Sequence, residues 1–118
     1  MTGSVGYHAG LVAEEIVARH YEAHCQPVSQ RRWRGKAGEV DLIARNGAQV
    51  VFIEVKKSRD FATAAHRLGP KQIKRLMAAG SEYIGTQPNG LLTDVRFDLA
   101  LVNAQGEVQV IENALFAQ

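Results

Sequence analysis

The stretch that decides the fold is "GKAGEVDLIARNGAQVVFIEVKKS", residues 35–58, in which two apolar runs flank the dipeptide Asn46-Gly47. Runs of this length, rich in Val and Ile and separated by residues that tolerate positive φ, predict a β-hairpin. Both runs carry acidic residues, at Glu39, Asp41 and Glu54, in strands whose other residues favour burial. The hairpin therefore raises the question of what these carboxylates do.

The expected register of the hairpin sorts its side chains between two faces. If Asn46-Gly47 forms a two-residue loop, Asp41 lies opposite Phe52 and Glu39 opposite Glu54, because antiparallel partners have a constant index sum. Alternation then predicts one apolar face, made of Val40, Leu42, Ala44, Val51, Ile53 and Val55. The other face is apolar near the turn, at Ile43, Val50 and Phe52, and charged at its far end, at Glu39, Asp41, Glu54 and Lys56. The charged residues are thus not simply the solvated side of a sheet.

Carboxylates gathered at one end of a hairpin repel one another, and either protonation or a bound cation relieves the repulsion. Oxygen ligands without a neighbouring Cys or His favour a hard ion, Mg²⁺ or Mn²⁺, over Zn²⁺. Lys56 follows Glu54 by two residues and is expected on the same face. There its charge could orient an attacking water or stabilise negative charge on a phosphate. The combination indicates metal-assisted hydrolysis of a phosphodiester.

These motifs resemble those of a known class of nucleases. "GEVDLIAR" followed by "VVFIEVKKS" resembles the D-(x)n-E-x-K signature of restriction-endonuclease-like enzymes, with Asp41 as the acidic residue and residues 54–56 as E-x-K. More narrowly, the chain resembles the small bacterial proteins of the UPF0102, or YraN-like, family, which are similar to archaeal Holliday junction resolvases. The segments "GLVAEEIVARHYE", "RFDLALV" and "IENALF" extend the resemblance over most of the chain.

The resemblance implies an α/β fold with a restriction-endonuclease-like core, a mixed β-sheet flanked by α-helices. It implies catalysis by Asp41, Glu54 and Lys56 with Mg²⁺ or Mn²⁺, and it places Glu14 where such nucleases carry a helix-borne metal ligand. Glu39 is a further candidate at the substrate side. The chain departs from its relatives in having Lys57-Ser58 where they often have a hydroxyl or aromatic residue followed by Arg.

Each candidate also has an ordinary interpretation. Glu54 and Lys56 could form a salt bridge on a wet strand edge, and Glu39 could be a solvated residue at a strand start. Glu14 could be solvated on a helix flank. Gln72, on the flank of the second predicted helix, is either a polar group that reaches the site or a surface glutamine.

The rest of the chain predicts two helices and three further strands. Apolar spacing predicts a helix over residues 8–24 and a second one from Pro70, with Ile73, Leu76, Met77, Gly80 and Ile84 as its stripe. Strands are expected at 27–34, at 93–102 and at "VQVI", and residues 58–68 read as a polar, flexible connection.

Two basic segments indicate contact with a nucleic acid, and the resemblance to junction-resolving nucleases favours DNA over RNA. They consist of Arg31, Arg32, Trp33, Arg34 and Lys36 before the acidic strand and of Lys71, Lys74 and Arg75 on the second helix. Such cations bind phosphates without reading sequence, and Trp33 could stack on an unpaired base or lie in the core. His20 and His24 have the i, i+4 spacing of zinc ligands, with Cys25 adjacent, but an ordinary helix end explains them as well.

Composition sets the outer limits. With 118 residues, 46% hydrophobic and 22% charged, the chain predicts one domain over residues 1–118. No apolar run is long enough for a membrane helix, and the single cysteine fits a reducing compartment, so a cytoplasmic protein is expected. A homodimer is suggested by analogy with resolvases, which cut two strands symmetrically. The alternatives to a nuclease are a catalytically silent binding module that keeps the fold and a purely structural interaction protein.

Overall fold

The structure is a computed structural model that describes the backbone of residues 2–116 and the side chains of residues 9–115. Its elements in chain order are α1 (Thr2–Ala23), β1 (Val28–Arg34), β2 (Glu39–Asn46), β3 (Gln49–Lys57), α2 (Phe61–Ala65), α3 (Pro70–Ile84), β4 (Val95–Val102) and β5 (Val108–Ile111). Two short 3₁₀ turns follow α3 and β5, at Gly90–Leu92 and Ala114–Phe116. The predicted start of the second helix at Pro70 and the predicted last strand are confirmed.

The strands form one five-stranded mixed sheet in the order β1-β2-β3-β4-β5. Neighbouring strands are antiparallel except β3 and β4, which are parallel. A parallel pair needs a crossover connection, and α2 and α3 supply it. The predicted α/β class with a mixed sheet is confirmed.

Both faces of the sheet are covered. On one face, α1 packs Ala13, Val17 and Tyr21 onto Leu42, Val51 and Ile53. On the other, α3 packs Leu76, Ala79 and Tyr83 onto Ile43, Val50 and Phe52. Because both faces are buried, the central strands read as nearly continuous apolar runs.

The hairpin register differs from the predicted one by one pair. Asn46 pairs with Gln49, so the two-residue loop is Gly47-Ala48, and Gly47 takes the left-handed φ of 61°. Asp41 therefore does not lie opposite Phe52, whose partner is Ile43. The parity of the index sum is unchanged, and for this reason the predicted sorting of Leu42, Ile43 and the residues nearer the turn stands.

Val40 lies on the opposite face from the predicted one. Leu42 belongs to the cluster under α1, whereas Val40 belongs to the cluster under α3, so the alternation of β2 breaks at Asp41. The β2–β3 ladder runs only as far as the Leu42–Ile53 pair, while Val40 pairs with Trp33 of β1. Arg32, between the regular pairs of β1, has a left-handed φ of 49°. The strand pair twists out of its regular pleat here, which frees the Asp41 side chain.

The connection over residues 58–68 is not wholly irregular as predicted, because it contains α2. Asp60 caps this helix, its carboxylate accepting the backbone N–H of Thr63 at 2.7 Å. In α3 the predicted stripe is partly wrong: Met77 is 39% exposed, whereas Gly80 is buried. A Cβ on Gly80 would come within 2.8 Å of the Phe97 ring, so glycine allows the helix its close approach to the sheet.

Candidate functional site

An open cavity of about 1180 Å³ lies between the sheet and the first turn of α3. The ends of β2 and β3, residues 35–38 between β1 and β2, residues 69–72 and Glu14 of α1 line it. Asp41, Glu54 and Lys56 are all among these residues, as the sequence predicted. The structure thus brings the acidic residue and the E-x-K triplet to one cavity.

Asp41 and Glu54 meet where the two strands of the hairpin separate. Beyond the last ladder pair, the backbone N–H of Val55 donates to Asp41 Oδ2 at 2.9 Å, so the side chain replaces a strand carbonyl as the acceptor. The Asp41 carboxylate lies beside the Glu54 side chain. Only 5% of Glu54 is exposed. Burial, and then the neighbouring Asp41 carboxylate, raise the pKa of Glu54 to about 9. Without a bound cation, Glu54 therefore keeps its proton at neutral pH.

Lys56 and Gln72 complete the surroundings of Glu54. Lys56 Nζ lies 3.7 Å from Glu54 Oε2, and the Lys56 side chain is 19% exposed. The Gln72 side-chain amide, from the first turn of α3, donates to Glu54 Oε2. Of the two interpretations of Gln72, the structure supports the polar group that reaches the site. A surface salt bridge does not describe Glu54 and Lys56, since both are largely withdrawn from solvent.

Glu14 lies close to this pair but is held by an arginine. Arg32 Nε and one of its terminal nitrogens donate to the two carboxylate oxygens of Glu14 at 2.9 and 3.2 Å. Burial raises the pKa of Glu14, with smaller contributions from Asp41 and Glu39, although the bond to Arg32 opposes the rise. Glu14 therefore lies within electrostatic reach of the site, and its side chain is 13% exposed rather than solvated.

The donors fit a hard divalent cation. The Asp41 and Glu54 carboxyl groups present the oxygen ligands that Mg²⁺ and Mn²⁺ prefer, and a cation can replace the proton of Glu54. Among the side chains described, no three His, Cys, Asp or Glu residues are grouped closely enough to hold a metal ion. Asp41 and Glu54 would be the metal ligands, and Glu14 is a further carboxylate of the cavity lining that could join them once it leaves Arg32.

Glu39 lies further out than the Asp41–Glu54 pair. Two guanidinium nitrogens of Arg34 donate to Glu39 Oε2 at 3.1 and 2.8 Å, and the Glu39 side chain is 54% exposed. Glu39 lines the cavity. Its position agrees with a carboxylate at the substrate side and does not place it beside Glu54.

The predicted basic residues divide into three groups. Arg34, Lys36, Lys71 and Arg75 line the cavity. Arg31 and Arg32 pair with Glu15 and Glu14 of α1, Arg31 at 2.8 Å, so α1 partly neutralises their charge. Lys74 is exposed on α3 and does not line the cavity. Cations thus surround the acidic pair, as a phosphate ligand requires.

Trp33 packs against the protein. Its ring lies edge-on to Tyr83 with centroids 5.3 Å apart, at the margin of the cluster under α3. Of the two interpretations of Trp33, the structure supports a place at the core. Stacking on a base would require the ring to leave Tyr83.

Sequence reasoning missed Glu82, which fixes residues 35–38. Its carboxylate accepts the backbone N–H groups of Lys36 at 3.0 Å and Ala37 at 2.9 Å. These bonds lower the pKa of Glu82. They attach the loop to α3 and hold Lys36 at the cavity. A glutamate late in a helix gives no sequence signal for such a contact.

The alternative zinc site gains no third ligand. The rings of His20 and His24 lie 4.4 Å apart, but His24 Nδ1 bonds to the carbonyl of His20, and Cys25 is exposed. Within residues 9–115, His20 and His24 belong to no larger group of metal-binding side chains. The histidines are those of an ordinary helix end.

The raised pKa of Glu54 predicts how stability varies with pH. Unfolded, this carboxyl deprotonates near its ordinary value of 4.5, whereas folded it retains its proton to about pH 9. Between these values the folded state binds more protons. The stabilisation is therefore fully present below 4.5 and is lost as the pH rises through about 9. We expect the melting temperature of the metal-free protein to fall over this range, measured by circular dichroism.

The variant Glu54→Gln should flatten this pH profile, because glutamine cannot ionise. Glu15→Gln, on the outer side of α1, is the matched control and should keep the slope of the unmodified protein. Identical profiles for the unmodified protein and Glu54→Gln would contradict the assignment.

The fold and cavity define an α/β protein with a carboxylate pair and a lysine at a cationic pocket. The family model described as "Uncharacterised protein family UPF0102" matches residues 13–102, and the chain belongs to this family. It is 56% identical to a UPF0102 protein of Cereibacter sphaeroides (strain KD131) over 117 residues, 99% of this chain and 100% of the relative.

More distant relatives carry the same family name. A UPF0102 protein of Roseobacter denitrificans is 53% identical over 113 residues, 96% of this chain and 88% of the relative. A UPF0102 protein of Dinoroseobacter shibae is 38% identical over 105 residues, 89% of this chain and 78% of the relative. Among the described residues, no helix has the length and apolar character needed to cross a membrane.

Proposed function

We propose that this protein is a Mg²⁺- or Mn²⁺-dependent nuclease that hydrolyses phosphodiester bonds of DNA, including branched DNA. The observation that carries the proposal is that Asp41, Glu54 and Lys56 line one open cavity, with Lys56 Nζ 3.7 Å from Glu54 Oε2. A buried glutamate beside a second carboxylate costs stability, and such a cost is typical of a functional site.

The rim of the cavity supports a polyanionic ligand. Lys36, Lys71 and Arg75 line it and are exposed, and no carboxylate of the described residues forms an ion pair with them. The first turn of α3 also faces the cavity, and the positive end of its helix dipole favours negative charge. Phosphates on either side of the reacting bond would bind to these groups.

The reaction adds water across a P–O bond. The attacking water loses a proton, and the leaving sugar oxygen finally gains one. A bound divalent cation supplies Lewis acidity and lowers the pKa of water. Asp41 and Glu54 would hold this cation, while Gln72 keeps the Glu54 carboxylate in place through its hydrogen bond. Lys56 stabilises the negative charge that develops on the phosphoryl oxygens.

One observation favours the alternative of a catalytically silent binding module. Arg32 binds Glu14 through both carboxylate oxygens, which leaves two carboxylates at the centre of the site. A silent module would bind DNA through the rim cations with no need of a metal ion. The two candidates therefore differ in whether the Asp41–Glu54 pair binds a divalent cation.

Calorimetric titration with Mn²⁺ separates them. A nuclease should bind Mn²⁺, and Asp41→Asn should abolish the heat of binding while leaving the melting temperature unchanged or higher, because one repelling carboxylate is removed. Glu15→Gln is the control that keeps binding. If the unmodified protein binds DNA but takes up no Mn²⁺, the silent module replaces the nuclease.

A further inference from the structure

A second cavity of about 360 Å³ adjoins the first. The two share three lining residues, Glu14, Val55 and Lys56, so Lys56 lies on the boundary between them. On its far side the second cavity is lined by Lys57 at the end of β3 and by Arg67 just after α2. Neither residue belongs to the basic segments that the sequence singled out.

The second cavity is strongly cationic. Lys56, Lys57 and Arg67 line it, and its one lining carboxylate, Glu14, is already paired with Arg32. Lys57 and Arg67 are exposed, and neither forms an ion pair with a carboxylate of the described residues. Exposed cations with no internal partner remain available to an external anion.

The residues of α1 other than Glu14 that line the second cavity have small side chains. They are Ala9, Gly10 and Ala13. The lining suits a flexible chain of anionic groups, which needs room and charge rather than an apolar pocket.

We propose that the second cavity is a phosphate subsite, in which Lys57 and Arg67 bind the sugar-phosphate backbone of the strand whose reacting phosphate lies at Lys56. The inference rests on the proposed function and extends it. The strand runs through both cavities, with phosphates bound on each side of Lys56. A strand held on both sides would be cut at an internal bond.

The test measures DNA binding without cleavage. Fluorescein-labelled four-way-junction DNA is titrated with protein in EDTA at several salt concentrations, and binding is followed by fluorescence anisotropy. The plot of log affinity against log salt has a negative slope, and each lost phosphate contact lowers the magnitude of that slope by about 0.9. The double variant Lys57→Ala/Arg67→Ala should lower the slope by about twice that amount.

The controls separate the subsite from general charge loss. Arg59→Ala removes a cation of the same connection, 84% exposed and paired with Asp60, that lines neither cavity. It should leave the slope unchanged. Lys71→Ala, at the first cavity, should lower the slope by about 0.9. Circular dichroism verifies that every variant is folded.

Three other outcomes would overturn the phosphate subsite, and one of them would overturn the proposed function as well. If the double variant keeps the slope of the unmodified protein while Lys71→Ala lowers it, the subsite is wrong and the proposed function stands. If Arg59→Ala lowers the slope as the double variant does, the effect comes from the general loss of positive charge, and the subsite is again wrong. If the unmodified protein binds no junction DNA even at low salt, the proposed function and the subsite fall together.

Discussion

Replacing Lys56 by alanine is expected to lower the single-turnover rate of DNA cleavage by about 10²–10³-fold, the usual loss when one preorganised charge is removed from a transition state. DNA affinity should change little. In the ground state the Lys56 charge is largely withdrawn from solvent beside Glu54, whereas in the transition state the phosphoryl oxygens gain the negative charge that it stabilises. Single-turnover kinetics at saturating enzyme separate the chemical step from binding.

Arg59→Ala is the control, because Arg59 is an exposed cation that lines neither cavity. It should keep the cleavage rate. A Lys56→Ala variant that cuts at the rate of the unmodified protein would show that Lys56 has no part in the chemistry.

The second large effect concerns stability. Asp98 of β4 is 2% exposed and accepts hydrogen bonds from Tyr21 at 2.6 Å and from Arg96 at 2.9 Å. The backbone N–H of Asn113 also donates to it. Asp98→Ala would leave the Arg96 guanidinium and the Tyr21 hydroxyl without this partner in the protein interior. We expect a loss of about 3–5 kcal/mol in the free energy of unfolding, measured by urea denaturation.

Asp94→Ala is the control for this prediction, since Asp94 is an exposed carboxylate just before the same strand. Its effect should stay within about 0.5 kcal/mol. If Asp98→Ala also changed the free energy of unfolding by no more than about 0.5 kcal/mol, the buried network would contribute nothing to the stability of the fold. Neither aspartate lines the described cavities.

Local patterns predicted the centre of the site. Alternation along the hairpin placed Asp41 and Glu54 on one side, and the error in the loop position did no harm because it preserved the parity of the pairing. The same rule failed for Val40. The break at Asp41 depends on β1, whose Arg32 adopts a left-handed conformation, and no pattern within β2 records it.

Contacts between distant segments could not be predicted in the same way. Gln72 reaches Glu54 only because the crossover brings the first turn of α3 to the end of β3. Glu82 binds residues 36 and 37 across a much longer separation, of 46 and 45 residues against 18 for Gln72 and Glu54. The Tyr21–Asp98 bond joins α1 to β4 through the core. The sequence shows an aspartate in an apolar strand, but it does not show that Tyr21 is the partner. Such pairings follow from topology, which the sequence gives only in outline.

The most direct measurement is a cleavage assay on four-way-junction, flap, single-stranded and duplex DNA, with the unmodified protein and Asp41→Asn purified side by side. Each substrate is incubated with Mg²⁺, with Mn²⁺ and with EDTA. The account predicts cleavage of at least one substrate with a divalent cation, none in EDTA, and none by Asp41→Asn. Cleavage by Asp41→Asn at the rate of the unmodified protein, or no cleavage of any substrate with either cation, would contradict it.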